Sequence, residues 1–155
     1  MPADGRGSMR PARDRLLTQL RLPAEGAAVR RALAEARAAL ADLGVTAECL
    51  GDVELVLAEV LNNIVLHAYG QTPGPITLEL RLKGDDLICV VRDSGRPMPG
   101  GQPPAGTAAR LDLGPDALPE GGFGWFLIRS HIRALHYDRD GAGNRLTLHL
   151  PLARG

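Results

Sequence analysis

The sequence lacks most of the features by which specialised proteins declare themselves. It has no excess of one charge: 18 basic and 18 acidic residues leave a formal net charge of zero, with a pI near 6.9, so it shows no electrostatic footprint of a nucleic-acid binder. It has only two cysteines, Cys49 and Cys89, both inside apolar patterns and without metal-ligand spacing. They read as buried free thiols of a cytoplasmic protein rather than a disulfide framework. No apolar run approaches the roughly 18 residues of a membrane span, and no apolar signal core follows the arginine-containing N-terminus, so no membrane association is expected. His131, His136 and His149 also lack metal-ligand spacing. The pattern Gly-x-x-x-x-Gly-Lys-Ser/Thr occurs nowhere, which excludes a P-loop. What is present, 45% hydrophobic and 23% charged residues in a chain of 155, suits one folded domain and is too short for two ordinary ones.

Residues 1–15 are rich in Arg, Pro, Gly and Asp and show no apolar period, so they read as a flexible tail before a domain spanning 16–155. Leu16 to Leu22 reads as an edge strand. Val29, Leu33, Ala36, Leu40 and Leu43 recur at helical spacing until Gly44. A second helix is expected from about Asp52 to Ala68, with Val53, Val56, Leu57, Val60, Leu61 and Ile64 as its apolar stripe. Ile76, Leu78, Leu80 and Leu82 alternate with polar residues in a half-buried strand. Leu87 to Val91 is apolar on both faces, as in a central strand ending at Arg92-Asp93. Residues 96–120 hold six prolines, too irregular for a packed element and longer than most connections, which predicts a functional lid. A helix from about Gly124 to Ala134 and a closing hairpin, Leu135–Asp138 with Arg145–Leu152, complete the chain. Short hairpins between the strands favour an α/β two-layer sandwich, a mixed, mainly antiparallel sheet covered by helices on one face, over a parallel sheet.

Three clusters carry chemistry. Glu59 and Asn63 stand four apart on the second helix, stacked at the margin of its apolar stripe. An amide oxygen there can ligate Mg²⁺, and a carboxylate one turn away can accept a proton from an attacking hydroxyl or water. Asn62 points about 100° away and is a neighbour. Asp93-Ser94-Gly95 follows the buried strand; such a carboxylate can accept from the exocyclic amine of adenine, and the glycine lets the base approach the backbone. Gly121, Gly122 and Gly124 open a helix whose N-terminal amides no side chain blocks, a setting suited to phosphate oxygens. Each cluster alone also has a plain structural reading, as a solvated helix face, an Asp-x-Gly turn and a hinge. His67, at a helix end, is read as structural, and Trp125 and Phe126 as core or lid-anchoring groups.

Taken in order, Glu59-x-x-x-Asn63 with His67-Ala68-Tyr69, then Asp93-Ser94-Gly95-Arg96-Pro97, then Gly121-Gly122-Phe123-Gly124-Trp125-Phe126-Leu127-Ile128 resembles the Bergerat-fold (GHKL) ATPases. Among these it is most similar to the small serine kinases and anti-sigma factors of the RsbW type. The resemblance spans about Leu16 to Leu152. It implies Glu59 as general base, Asn63 as Mg²⁺ ligand, Asp93 and Gly95 as the adenine pocket, Gly122 and Gly124 as phosphate-facing backbone, and 96–120 as an ATP lid. It further implies ATP and Mg²⁺ as cofactors and a STAS-domain anti-anti-sigma protein as phosphoacceptor, with a sigma factor as a second partner in some members and homodimers in many. A nucleotide-responsive binding module with little kinase activity is the alternative. A detached histidine-kinase catalytic domain fits less well, because no dimerising helical pair with a phosphoacceptor histidine precedes the domain. The long proline-rich lid and Asn62 depart from the better-known pattern.

Overall fold

The computed structural model describes residues 14–104 and 123–155. A five-stranded sheet has the order β1-β2-β3-β5-β4, with β1 at Asp14–Pro23, β2 at Pro75–Lys83, β3 at Asp86–Asp93, β4 at Ala134–Asp140 and β5 at Gly143–Pro151. Every adjacent pair runs antiparallel. β3 is central, as its two-sided apolarity predicts. Three helices, α1 at Gly26–Ala41, α2 at Ala47–Asn63 and α3 at Phe123–His131, form the second layer, α1 packing on β1 and α2, and α2 on α3.

The two periodicities explain how the layers meet. Ile76, Leu78 and Leu80 of β2, Leu87, Cys89 and Val91 of β3, and Leu146, Leu148 and Leu150 of β5 share the inner face and are buried. Against them lies the predicted stripe of α2, all six residues of which are buried. Truncation at a site such as Leu57→Ala would cost about 2–5 kcal/mol. Both cysteines are free and buried. No described helix is long and apolar enough to cross a membrane.

Several boundaries differ from expectation. β1 begins at Asp14, two residues inside the expected tail, because Asp14 and Arg15 pair with Lys83 and Leu82. α2 starts at Ala47 rather than Asp52: Thr46 caps it, its side chain accepting from Cys49 N at 3.2 Å. α2 also stops being α-helical at Asn63, and Ile64–Tyr69 forms a π-helical turn. α3 ends at His131, since Arg133 N already donates to His149 O and Ala134 pairs with His149 in the sheet. Of the expected lid, Arg96–Pro104 is described and contains a 3₁₀ turn at Pro99–Gly101; the remainder, with Gly121 and Gly122, lies outside the described residues.

Candidate functional site

Glu59 and Asn63 occupy the last turns of α2, both half-buried. The stripe Val56, Leu57, Val60, Leu61 anchors that helix in the core, so the acid and the amide ride on a rigid support at its edge. α3 approaches them with its glycine: a Cβ on Gly124 would lie 2.6 Å from Glu59 Oε2 and 3.9 Å from Asn63 Nδ2. Two of the three sequence clusters therefore meet in space. Trp125, buried to 4% exposure, and Ile128, fully buried, fix α3 in the core. At the helix's other end His131 Nε2 stands 3.6 Å from Asp52 Oδ1 of α2.

The π turn brings in the third cluster. By widening the end of α2 it presents the Ala68 carbonyl to the Asp93–Arg96 loop, where Arg96 N donates to it at 2.8 Å. Gly95 is so close that a Cβ there would lie 2.5 Å from Ala68 O and 2.7 Å from its carbonyl carbon. Tyr69 closes the same junction: its hydroxyl accepts from Ser94 N at 2.7 Å and donates to Pro75 O at 2.6 Å. One-turn π insertions recur where a helix must present a functional group off its regular path, and here the insertion falls between Asn63 and the Asp93 loop.

Asp93 is buried at the tip of β3. Its Oδ1 accepts from Gly95 N and from Asn144 Nδ2, each at 2.8 Å. Asp93 is thus partly a loop-forming group, beyond the ligand acceptor the sequence suggests; among the described residues no hydrogen bond is made to its Oδ2.

Asn144 is the residue the sequence reading missed. Its amide donates to Asp93 and to Arg96 O at 2.8 Å, while its oxygen accepts from the Tyr137 hydroxyl and from Arg139 Nη1. Arg139 Nη1 also reaches Gly95 O at 3.0 Å, and Tyr137 Oη accepts from Met98 N at 3.0 Å. This network sets the course of the chain from 93 to 98. A signal was present: Asn144 falls on the inward phase of Leu146, Leu148 and Leu150, as Asp93 does on that of Leu87, Cys89 and Val91, and polar groups on a buried phase must find partners. Asp93 and Asn144 face one another in the strand register.

His67 is exposed on the π turn. No group of three or more His, Cys, Asp or Glu residues able to hold a metal occurs among the described residues.

Comparison with known proteins agrees with this geometry. Residues 22–150 match the family described as "Histidine kinase-like ATPase domain". An anti-sigma F factor of Clostridium kluyveri is 32% identical over 56 residues, 36% of this chain and 39% of the relative. A serine-protein kinase RsbW of Halalkalibacterium halodurans is 30% identical over 105 residues, 63% of this chain and 60% of the relative. The chain thus spans two fifths to three fifths of these relatives. Among solved structures, the RsbU and RsbW domains of Rv1364c from Mycobacterium tuberculosis superpose with a TM-score of 0.60 at 21% identity, over 89% of this chain and 33% of that one, a likeness of fold.

Proposed function

The chain belongs to the histidine kinase-like ATPase domain family, and from that premise we propose that it is an ATP- and Mg²⁺-dependent serine/threonine protein kinase of the anti-sigma type, phosphorylating a STAS-domain anti-anti-sigma partner. The observation that carries this reading is the packing of Gly124 against Glu59 and Asn63. Phosphoryl transfer needs positioning and charge neutralisation more than covalent chemistry, and this junction brings a helix N-terminus, an amide and a carboxylate together. A family member acting only by capture has no need of a proton acceptor at Glu59. The names of the relatives, anti-sigma F factor and serine-protein kinase RsbW, support the same class.

The residues fit the ligands. Gly124 and Gly95 seat α3 and the Asp93 loop against Glu59 and Ala68, and the fit rests on the Asn63 amide and on Asp93 Oδ2, to neither of which a hydrogen bond is made among the described residues. Asn63 would hold Mg²⁺, which when bound offsets phosphate charge. ATP is the substrate, its adenine read by Asp93 Oδ2, an acceptor that a bound guanine would bury unpaired; such a mismatch costs about 1–3 kcal/mol. Gly122 and Gly124 would face its phosphates. Glu59 takes the proton of the attacking hydroxyl. A phosphate of about two negative charges on the partner then weakens the complex by repulsion and desolvation and frees this chain for a sigma factor. A cytoplasmic setting and a homodimer accord with this role.

The test is transfer of labelled γ-phosphate from ATP to protein in host extract, by wild type and by Glu59→Ala, with the product treated with acid. An acid-stable label on one small protein, reduced about 10²- to 10⁴-fold in the variant, is expected. Equal labelling by Glu59→Ala removes the base assignment. No label, with ATP binding retained, favours a nucleotide-gated binding module, and an acid-labile label favours phosphohistidine chemistry.

A further inference from the structure

The outer face of the sheet, turned away from the helices, carries a row of cations that the proposed kinase chemistry does not use. Arg21 of β1 pairs in register with Thr77 of β2, Thr77 with Arg92 of β3, Arg92 with Arg145 of β5, and Arg145 with Asp138 of β4. All three arginines are exposed, and with strands about 4.8 Å apart the row from Arg21 to Arg145 spans about 14 Å. Arg92 and Arg145 stand directly opposite one another, an arrangement of like charges that destabilises a sheet. Arg145 is offset by Asp138 at 3.0 Å. Among the described residues neither Arg21 nor Arg92 has a carboxylate partner.

The row lies in a concavity. A cavity of about 610 Å³ is lined by these residues and by the Asp138–Arg145 hairpin, within the range of small-molecule sites rather than that of an extended protein interface. Of the other carboxylates in its wall, Asp140 Oδ1 accepts from Ala142 N, and Asp93 Oδ1 accepts from Gly95 N and Asn144. Guanidinium groups form planar forks suited to bidentate phosphate contacts, and the Thr77 hydroxyl between Arg21 and Arg92 adds a neutral donor. We propose that this outer-face cavity is a binding site for a compact anion carrying two or more phosphates, held by Arg21, Arg92 and Arg145 around Thr77. Its wall includes Asp93 and Ser94, so a bound anion adjoins the loop that carries the proposed adenine acceptor.

Inorganic pyrophosphate is the probe, titrated into the full chain at low salt and followed by calorimetry and by the side-chain Nε–H resonances of the arginines. Binding is expected to shift Arg92 and Arg145, to weaken at least about tenfold in Arg21→Gln/Arg92→Gln, and to persist in Asn63→Ala. The substituted arginines are exposed, and a thermal melt checks that the double variant folds. Unchanged binding in the double variant, or loss of binding in Asn63→Ala, would place the anion at the candidate kinase site and overturn the proposal. Two further outcomes also overturn it: sedimentation with phosphoinositide vesicles without pyrophosphate binding makes the face a membrane contact. A change of oligomeric state in the double variant without pyrophosphate binding to wild type makes it a contact between copies.

Discussion

Gly124 lies so close to Glu59 that a single added methyl would press on the carboxylate oxygen Oε2, at 2.6 Å. What it meets is the free end of a flexible side chain, which can swing away. Alanine is also the better helix former, by up to about 1 kcal/mol. Gly124→Ala is therefore expected to fold with unchanged or slightly raised stability, yet to transfer phosphate about 10- to 100-fold more slowly, because the proton acceptor is displaced. In a Glu59→Ala background the same change should add little, since the group it displaces is already gone. Normal transfer by the single variant, measured beside its urea midpoint, would separate this contact from catalysis.

Gly95 gives the opposite partition. A methyl there would meet the Ala68 carbonyl oxygen and carbon at 2.5 and 2.7 Å, and this backbone is tied to Arg96 N and cannot swing aside. Gly95→Ala should lower stability by about 1–3 kcal/mol and weaken ATP binding as well. Chemical denaturation reads the first effect and calorimetric titration of ATP the second. A variant as stable as wild type would mean that the π turn yields easily.

Much of this architecture was legible because burial imposes period on sequence. The alternation in Ile76–Leu82 and Leu146–Leu152 and the stripe from Val53 to Ile64 located the sheet and α2, whereas Gly95 and Gly124, expected to admit a base and phosphate oxygens, lie against Ala68 and Glu59 of the protein itself. Features without a period stayed hidden. The start of α2 depends on one capping hydroxyl, Thr46, ahead of a turn that includes Gly51. The π turn leaves no compositional trace, since Ile64–Tyr69 reads as ordinary helix. Asn144 does fall on the inward phase of β5, but its pairing with Asp93 spans 51 residues, and no local pattern names that partner.

That hidden residue yields a direct test. Asn144→Ala removes two donors and one acceptor from a buried site, leaving Asp93 Oδ1, the Tyr137 hydroxyl and Arg96 O short of partners. A loss of about 2–3 kcal/mol in stability is expected, together with faster amide exchange at Gly95 and Met98, whose loop the network holds. If hydrogen exchange shows those amides unchanged, the loop is held by Tyr69 and Ala68 alone.

Cys89 permits a prediction in pH. It is fully buried in the central strand, and burial holds its thiol well above the ordinary range, in the neutral form. In the unfolded chain the same thiol ionises near pH 8.5. Below that value both states keep the proton and Cys89 contributes no pH dependence. Above it only the unfolded chain releases the proton, so the folded state binds more protons and stability falls as pH rises, by up to about 1.4 kcal/mol per unit from this group. Urea midpoints between pH 8 and pH 10 should therefore fall more steeply in wild type than in Cys89→Ala, although the variant is the less stable of the two at pH 8 because it leaves a cavity in the core. Parallel slopes would show that the thiol does not govern the alkaline limb, and rapid modification of Cys89 by a thiol reagent under native conditions would show that the centre of the sheet opens far more readily than its packing implies.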